Sequence, residues 1–138
     1  MENREILRNF LSVVAGVLTG AALFMVAGFV LLLIGFSGMQ RDMDDGDIAK
    51  AVNRISLFFL AAIFICSFLG GYVTARISTR RDRVHGAITG VVMAILLAYI
   101  SDFSFEKEVL INYVLTIGGA MLGAWVAVKV KKRKDQPR

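Results

Sequence analysis

Charged residues are missing from four long stretches of this 138-residue chain. The stretches are Phe10–Ser37, Ile55–Ala75, Val84–Ser101 and Val109–Val128. A helix needs roughly 20 apolar residues to cross a hydrocarbon core about 30 Å thick, and each stretch approaches or exceeds that length. Isolated hairpins and open sheets are excluded there, because their backbone groups would be unpaired in lipid. The missing charge therefore argues against a soluble domain and predicts an all-α membrane protein, a bundle of four transmembrane helices.

Cysteine, proline and histidine are also scarce, and this limits the bonds, metal sites and reactions that we expect of the protein. The only cysteine, Cys66, excludes an intramolecular disulfide, and the only proline, Pro137, breaks no span. The only histidine, His85, has no companion ligands for a metal site. No Asp, Glu, Lys, Arg or His lies in the interior of a span, which disfavours proton-coupled transport. No catalytic triad or Cys–His pair stands out, so we expect no enzyme and no cofactor.

The positive charges are unevenly placed. Twelve of the 16 Lys and Arg residues lie at the N-terminus, after the second span and at the C-terminus: Arg4, Arg8, Arg76, Arg80, Arg81, Arg83, Lys129, Lys131, Lys132, Arg133, Lys134 and Arg138. The positive-inside rule predicts that these segments, with both termini and the basic tail 129–138, are cytoplasmic. Orientation and contact with anionic headgroups account for the net charge of +5, so nucleic acid is not an expected partner. The first apolar run is too long for a signal-peptide core, so we expect it to remain as a span.

The chain contains an internal repeat. LGGYVTARIS (Leu69–Ser78) aligns without gaps on LGAWVAVKVK (Leu122–Lys131), and GVLTG (Gly16–Gly20) aligns on GAITG (Gly86–Gly90). The order of the matches predicts two tandem helical hairpins, residues 9–78 and 84–131, within a single domain, 1–138. Each hairpin has two spans, so both insert in the same orientation and the repeat axis lies along the membrane normal.

Small residues dominate the repeat. Glycines four apart share a helix face and let two backbones approach closely. We therefore predict helix packing at Gly16, Gly20, Gly70, Gly71, Gly86, Gly90, Gly119 and Gly123. Most of these fall in the cytoplasmic halves, whereas the outer halves are bulky. The bundle should be tight at its cytoplasmic end and wider outside, where it holds lipid, a partner helix or its own aromatic side chains.

The aromatic residues near the helix ends and the basic residues around the second loop each allow more than one interpretation. Tyr72 and Trp125 each precede a basic residue by four, as in an aromatic belt with snorkelling cations; cation–π or lipid contact is the alternative. His85 is a polar helix start, a headgroup or phosphate contact, or a proton-handling group. The candidate headgroup or anion contacts are Arg76, Arg80, Arg81, Arg83 and His85.

The loop after the first span is acidic. Asp42, Asp44, Asp45 and Asp47 fail the EF-hand pattern because Gly46 stands where an acidic ligand is needed, so a solvated loop is expected rather than a metal site. From Asp47 onward, apolar residues recur at helical spacing. This spacing predicts a short amphipathic helix that continues into the second span.

The stretch GGYVTARISTRRDRVHGAITG (Gly70–Gly90) resembles small four-span bacterial inner-membrane proteins of unassigned function. In these proteins a GGYxxARI helix end is followed by a short basic loop and an HGAxxG helix start. The resemblance covers 21 residues. It implies a multi-pass protein of the bacterial plasma membrane and no particular activity.

Three functions are compatible with these features. The first is a structural or accessory protein that packs with partner helices or lipid, as glycine-rich faces without functional polar groups suggest. The second is a homo-oligomeric channel or small transporter, as the duplicated hairpins suggest. The third is a lipid-interacting or regulatory protein that uses the loop from Arg80 to His85. The expected partners are membrane lipid and either a membrane protein or a second copy.

Overall fold

The computed structural model describes residues 2–38, 45–78, 82–102 and 106–134, and these form four α-helices. The helices are α1 (Glu2–Gly38), α2 (Asp45–Ile77), α3 (Asp82–Ile100) and α4 (Lys107–Lys134). Each contains a segment long and apolar enough to cross a membrane. The prediction of an all-helical protein with four candidate spans is therefore confirmed.

The helices differ in length and in how they begin and end. α1 has 37 residues, or about 55 Å at 1.5 Å per residue, so it tilts or extends beyond a 30 Å core. α2 begins at Asp45 and runs without a break into its apolar part, which confirms the helical continuation predicted from Asp47. α3 is followed by Asp102, whose φ of 48° places a non-glycine residue in the left-handed region.

The four helices do not contact one another equally. α2 and α3 each pack against the three other helices, whereas α1 and α4 do not touch within the described residues. α2 and α3 therefore form the short diagonal of the bundle. α1 is its most weakly covered member, since only 6% of its most apolar window is buried, against 28% for α2 and for α4.

The core consists of small residues and lies toward one end of the bundle. The largest fully buried side chains are threonines and serines: Thr74, Thr89, Ser12, Ser67 and Ser78. Side chains from all four helices meet at this end, where Arg8 reaches Ile77 and Lys131 reaches Ser78 and Asp82. We call it the polar end. The opposite end, where α1 finishes and α2 begins, is called the open end.

Several predicted residues fall outside the described part of the chain. They are Arg80 and Arg81 of the basic loop, Asp42 and Asp44 of the acidic loop, and Pro137 and Arg138 of the tail.

Candidate functional site

Glycines bring α1 and α2 into backbone contact near the polar end. A Cβ atom at Gly16 would overlap the Thr74 hydroxyl and lie 2.6 Å from the Gly70 carbonyl oxygen. A Cβ at Gly70 would lie 2.8 Å from the Gly16 carbonyl oxygen, and one at Gly20 would lie 3.3 Å from that of Cys66. Residue numbers rise along α1 as they fall along α2, so the two helices are antiparallel here.

The contacts of α4 with α2 are as close. A Cβ at Gly71 would overlap the backbone of Ala120, and one at Gly123 would overlap the backbone of Phe68. A Cβ at Gly119 would lie 2.9 Å from the Phe64 carbonyl oxygen. At these three glycines the interface between α2 and α4 has room for a hydrogen atom but not for a Cβ atom.

The glycines of α3 receive alanines of α4. A Cβ at Gly86 would overlap the Cβ of Ala124, and one at Gly90 would lie 2.9 Å from that of Ala120. All eight glycines predicted to pack thus lie in helix–helix contacts. In contrast, Gly28 and Gly118 have no heavy atom within 4 Å of an added Cβ.

Two buried hydroxyls join α2 to α3. The Oγ1 atoms of Thr74 and Thr89 lie 2.8 Å apart, and both side chains are fully buried. Each hydroxyl also lies in donating range of a carbonyl one turn back, at Gly70 and His85. The two hydroxyls have two protons for three possible hydrogen bonds, so two of the three form at a time, and either hydroxyl can donate to the other. The threonine of α1, Thr19, donates to the Ala15 carbonyl of its own helix, and this is its one hydrogen bond within the described residues.

A second polar contact joins three helices at Ser78. Its Oγ lies 3.3 Å from the Oδ1 of Asn9 on α1 and 3.3 Å from the Nδ1 of His85 on α3. The hydroxyl has one proton, so when it donates to Asn9 it accepts from Nδ1. His85 is therefore half-buried within the bundle, as a polar residue in the first turn of α3.

The C-terminal end of α2 is held by two cations. Arg8 Nε donates to the Ile77 carbonyl at 3.3 Å, and Lys131 Nζ donates to the Ser78 carbonyl at 3.1 Å. Cations there complement the negative end of the helix dipole. Lys131 also pairs with Asp82 at 3.2 Å. The other carboxylate oxygen of Asp82 is buried and has no hydrogen-bond partner in the described part of the chain.

Three other exposed basic residues, Arg76, Arg83 and Lys129, make none of these contacts among the described residues. Arg76 donates to the Tyr72 hydroxyl at 3.0 Å, and Lys129 Nζ lies 4.9 Å from the centroid of the Trp125 ring. The two repeated aromatic–basic pairs therefore use different contacts, a hydrogen bond and a cation–π interaction. Arg83 is exposed, whereas His85 is turned into the bundle. Of the described candidates for headgroup contact, Arg76 and Arg83 therefore lie at the surface, and His85 lies partly in the interior.

The polar end offers little access to a reactant. Ser78 and His85 resemble a nucleophile and its base in type and spacing. However, Ser78 is only 1% exposed, and its hydroxyl is engaged with Asn9. No group of three His, Cys, Asp or Glu side chains suited to a metal ion occurs among the described residues. The geometry fits a role for these groups in holding helices together.

Toward the open end the bundle contains space. A cavity of about 80 Å³ lies among the four helices, with Phe24, Cys66, Met93 and Thr116 in its lining. A larger groove of about 700 Å³ lies between α1 and α2. One turn from Thr116, the side-chain oxygen of Asn112 is buried and has no partner in the described residues. The closest backbone approaches are thus at the polar end, and these two spaces are nearer the open end.

Sequence reasoning found the glycines but missed Asn9, Ser78 and Asp82. Thr74 and Thr89 are recognisable because each lies one turn from a packing glycine. Ser78 and Asn9 are 69 residues apart and meet only because α1 lies against the end of α2. No local pattern signals such a contact.

The chain matches no protein-family model, no curated protein and no solved structure, so its function is inferred from its own geometry.

Proposed function

We propose that this chain is a non-enzymatic accessory subunit of the bacterial plasma membrane that packs with a partner helix or a second copy and with lipid. The observation that carries the proposal is the poor coverage of α1. Among the described residues, this helix has the longest apolar segment and touches α2 and α3 but not α4. Its exposed apolar side chains are available to neighbours in the membrane.

The orientation forms part of the same proposal. The basic residues Arg8 and Lys131 both lie at the polar end. The positive-inside rule then favours a polar end at the cytoplasmic face, with both termini inside.

The tandem hairpin is supported by the levels at which helices touch. Gly16 meets Gly70, while its repeat counterpart Gly86 meets Ala124, which aligns one residue beyond the counterpart of Gly70. Gly20 approaches Cys66, while its counterpart Gly90 approaches Ala120, again one residue from the aligned position. Two hairpins that arose by duplication account for this agreement.

A homo-oligomeric channel or transporter is the second candidate. The buried oxygen of Asn112, together with Ser67 and Thr116 beside the central cavity, gives this candidate its motivation. Uncharged polar groups of this kind can line a pore. Flux of ions or small solutes into vesicles that contain the purified chain would favour it.

The test of the accessory role is site-specific photo-crosslinking in native membranes. A photoreactive residue replaces Met25 of α1, which is 76% exposed, or Val114 of α4, which is 70% exposed and serves as the matched control. We expect crosslinks to a protein from Met25 and to lipid alone from Val114. If neither position captures protein, and the chain leaves native membranes as a monomer, the accessory role is wrong.

A further inference from the structure

The groove between α1 and α2 occupies the half of the bundle near the open end. Among the described residues, its walls are apolar apart from one serine, and no charged residue lines it. The residues that define it here are Gly28, Leu31 and Gly35 of α1 with Ile55, Ser56 and Phe59 of α2. We call this the α1–α2 groove.

The groove exists because α1 and α2 diverge. Near the polar end, Gly16 and Gly70 bring the two backbones into contact. Toward the open end, an added Cβ at Gly28 would meet no heavy atom within 4 Å, and one at Gly35 would come no closer than 3.9 Å, to Ile55. The same pair of helices is therefore closed in one half and open in the other.

The groove has a definite inner end. Phe59 lines it, and the Phe59 ring contacts that of Phe24 edge-on, with centroids 5.6 Å apart. Phe24 in turn lines the central cavity, so the two rings lie between the two spaces. From Gly28 to Gly35 the α1 wall is about 10 Å long, most of the roughly 15 Å depth of one leaflet's hydrocarbon.

The groove is suited neither to holding water nor to remaining empty. A bound water needs two to four polar partners, and Ser56 is the only polar side chain among the described residues of the lining. An empty groove would forfeit the dispersion contacts of its walls. The groove opens sideways between two spans, where the surrounding solvent is hydrocarbon.

The length of the groove decides between a lipid chain and a helix. A transmembrane helix continues through both leaflets. The contact between Gly16 and Gly70 closes the space between α1 and α2 in the other half, so such a helix would have both walls beside it over only part of its length. An acyl chain from one leaflet lies within the half of the bundle that the groove covers, and the Phe24–Phe59 pair closes the inner end of the groove. We infer that the α1–α2 groove is a binding site for one acyl chain of a phospholipid from the leaflet at the open end.

This inference rests on the membrane location in the proposed function but needs no partner protein. Its test uses the full chain, purified and reconstituted alone into phosphatidylcholine vesicles. A small fraction of the lipid carries a photoactivatable diazirine within its acyl chain. Because no other protein is present, the result is independent of whether α1 has a partner in native membranes.

After illumination, mass spectrometry locates the lipid adducts. We expect adducts on Leu31, Ile55 and Phe59 to exceed those on the exposed α4 residues Val114 and Met121 by several-fold. Equal labelling of the groove and of α4 would overturn the inference, since every exposed apolar side chain touches lipid in passing. This comparison is made within the wild-type chain and needs no variant to fold.

Filling the groove supplies the second arm. Gly28→Leu should reduce groove adducts at least threefold, whereas Gly118→Leu, at another glycine with open space around it, should leave them unchanged. Circular dichroism checks that both variants fold, and Gly28→Ala replaces Gly28→Leu if that variant does not. Undiminished labelling in the folded Gly28 variant, or a groove occupied by a helix of a second copy, would contradict the inference.

Discussion

The hydroxyl oxygens of Thr74 and Thr89 lie 2.8 Å apart at the centre of the packed half of the bundle, where α2 meets α3. Both side chains are completely buried. Each hydroxyl can also donate to a carbonyl of its own helix, at 3.1 Å and 3.0 Å. The pair therefore links two helices while leaving no polar atom dependent on water.

Replacing Thr74 or Thr89 by valine should destabilise the protein by about 0.5–1.5 kcal/mol. The loss is modest because the remaining threonine can donate to its own helix. Thr19→Val is the control, since the one hydrogen bond of Thr19 within the described residues is to Ala15 of its own helix, and it should cost less. Denaturant unfolding in mixed micelles supplies the free energies.

The double variant distinguishes the pair from two independent side chains. If the hydroxyls interact, the cost of Thr74→Val with Thr89→Val will be smaller than the sum of the single costs by about 0.5 kcal/mol or more. Strict additivity would mean that the 2.8 Å contact contributes nothing to stability.

Gly71→Ala should destabilise the protein by about 1–3 kcal/mol, the usual cost of overpacking. The new methyl group would overlap the backbone of Ala120, which cannot rotate away as a side chain can. Gly118→Ala is the matched control in α4. Its methyl group meets nothing, so higher helix propensity should make it neutral or stabilising by up to about 1 kcal/mol. Thermal unfolding in one detergent compares the two, and equal effects would contradict the packing described.

Lys131→Gln should cost up to about 1 kcal/mol, because it weakens a cap on α2 and removes an ion pair with Asp82. The Lys131 side chain is 45% exposed, so salt will screen the pair and the cost should shrink between low and high ionic strength. Lys129→Gln is the control, since Lys129 contacts the Trp125 ring at the surface. A loss at Lys131 that does not respond to salt would indicate that packing, rather than charge, is responsible.

Asp102→Gly should stabilise the protein by about 1 kcal/mol, because glycine adopts a φ of 48° without steric cost. The change also removes a negative charge from the C-terminal end of α3, where the helix dipole disfavours it. Asp102→Asn removes the charge alone, and Asp102→Val should be destabilising. The expected order of melting temperature is therefore Gly, Asn, Asp and Val from highest to lowest, and a Val variant as stable as wild type would refute the strain argument.

The sequence predicted the helices and their glycines because both have local physical causes. A charge-free run of 18 residues or more indicates a span, and glycines four apart indicate a close approach. It did not predict that α1 and α4 would fail to touch. The spans are apolar on nearly every face, so no amphipathic pattern indicates which faces pack together. Lipid tails are as apolar as leucine, so an apolar face can equally well contact lipid or another helix. The hydrogen bonds at the polar end were not predicted either, because Asn9 and Ser78 come together only in the assembled bundle.

The most direct test of the central claim concerns sidedness. In a Cys66→Ala background, Asn3→Cys at the start of α1 and Asp102→Cys after α3 are each treated with a membrane-impermeant maleimide in intact bacterial cells. Four spans with both termini inside predict that Asp102→Cys is labelled at once and Asn3→Cys only after permeabilisation. Labelling of both cysteines in intact cells, or of Asn3→Cys alone, would contradict the account.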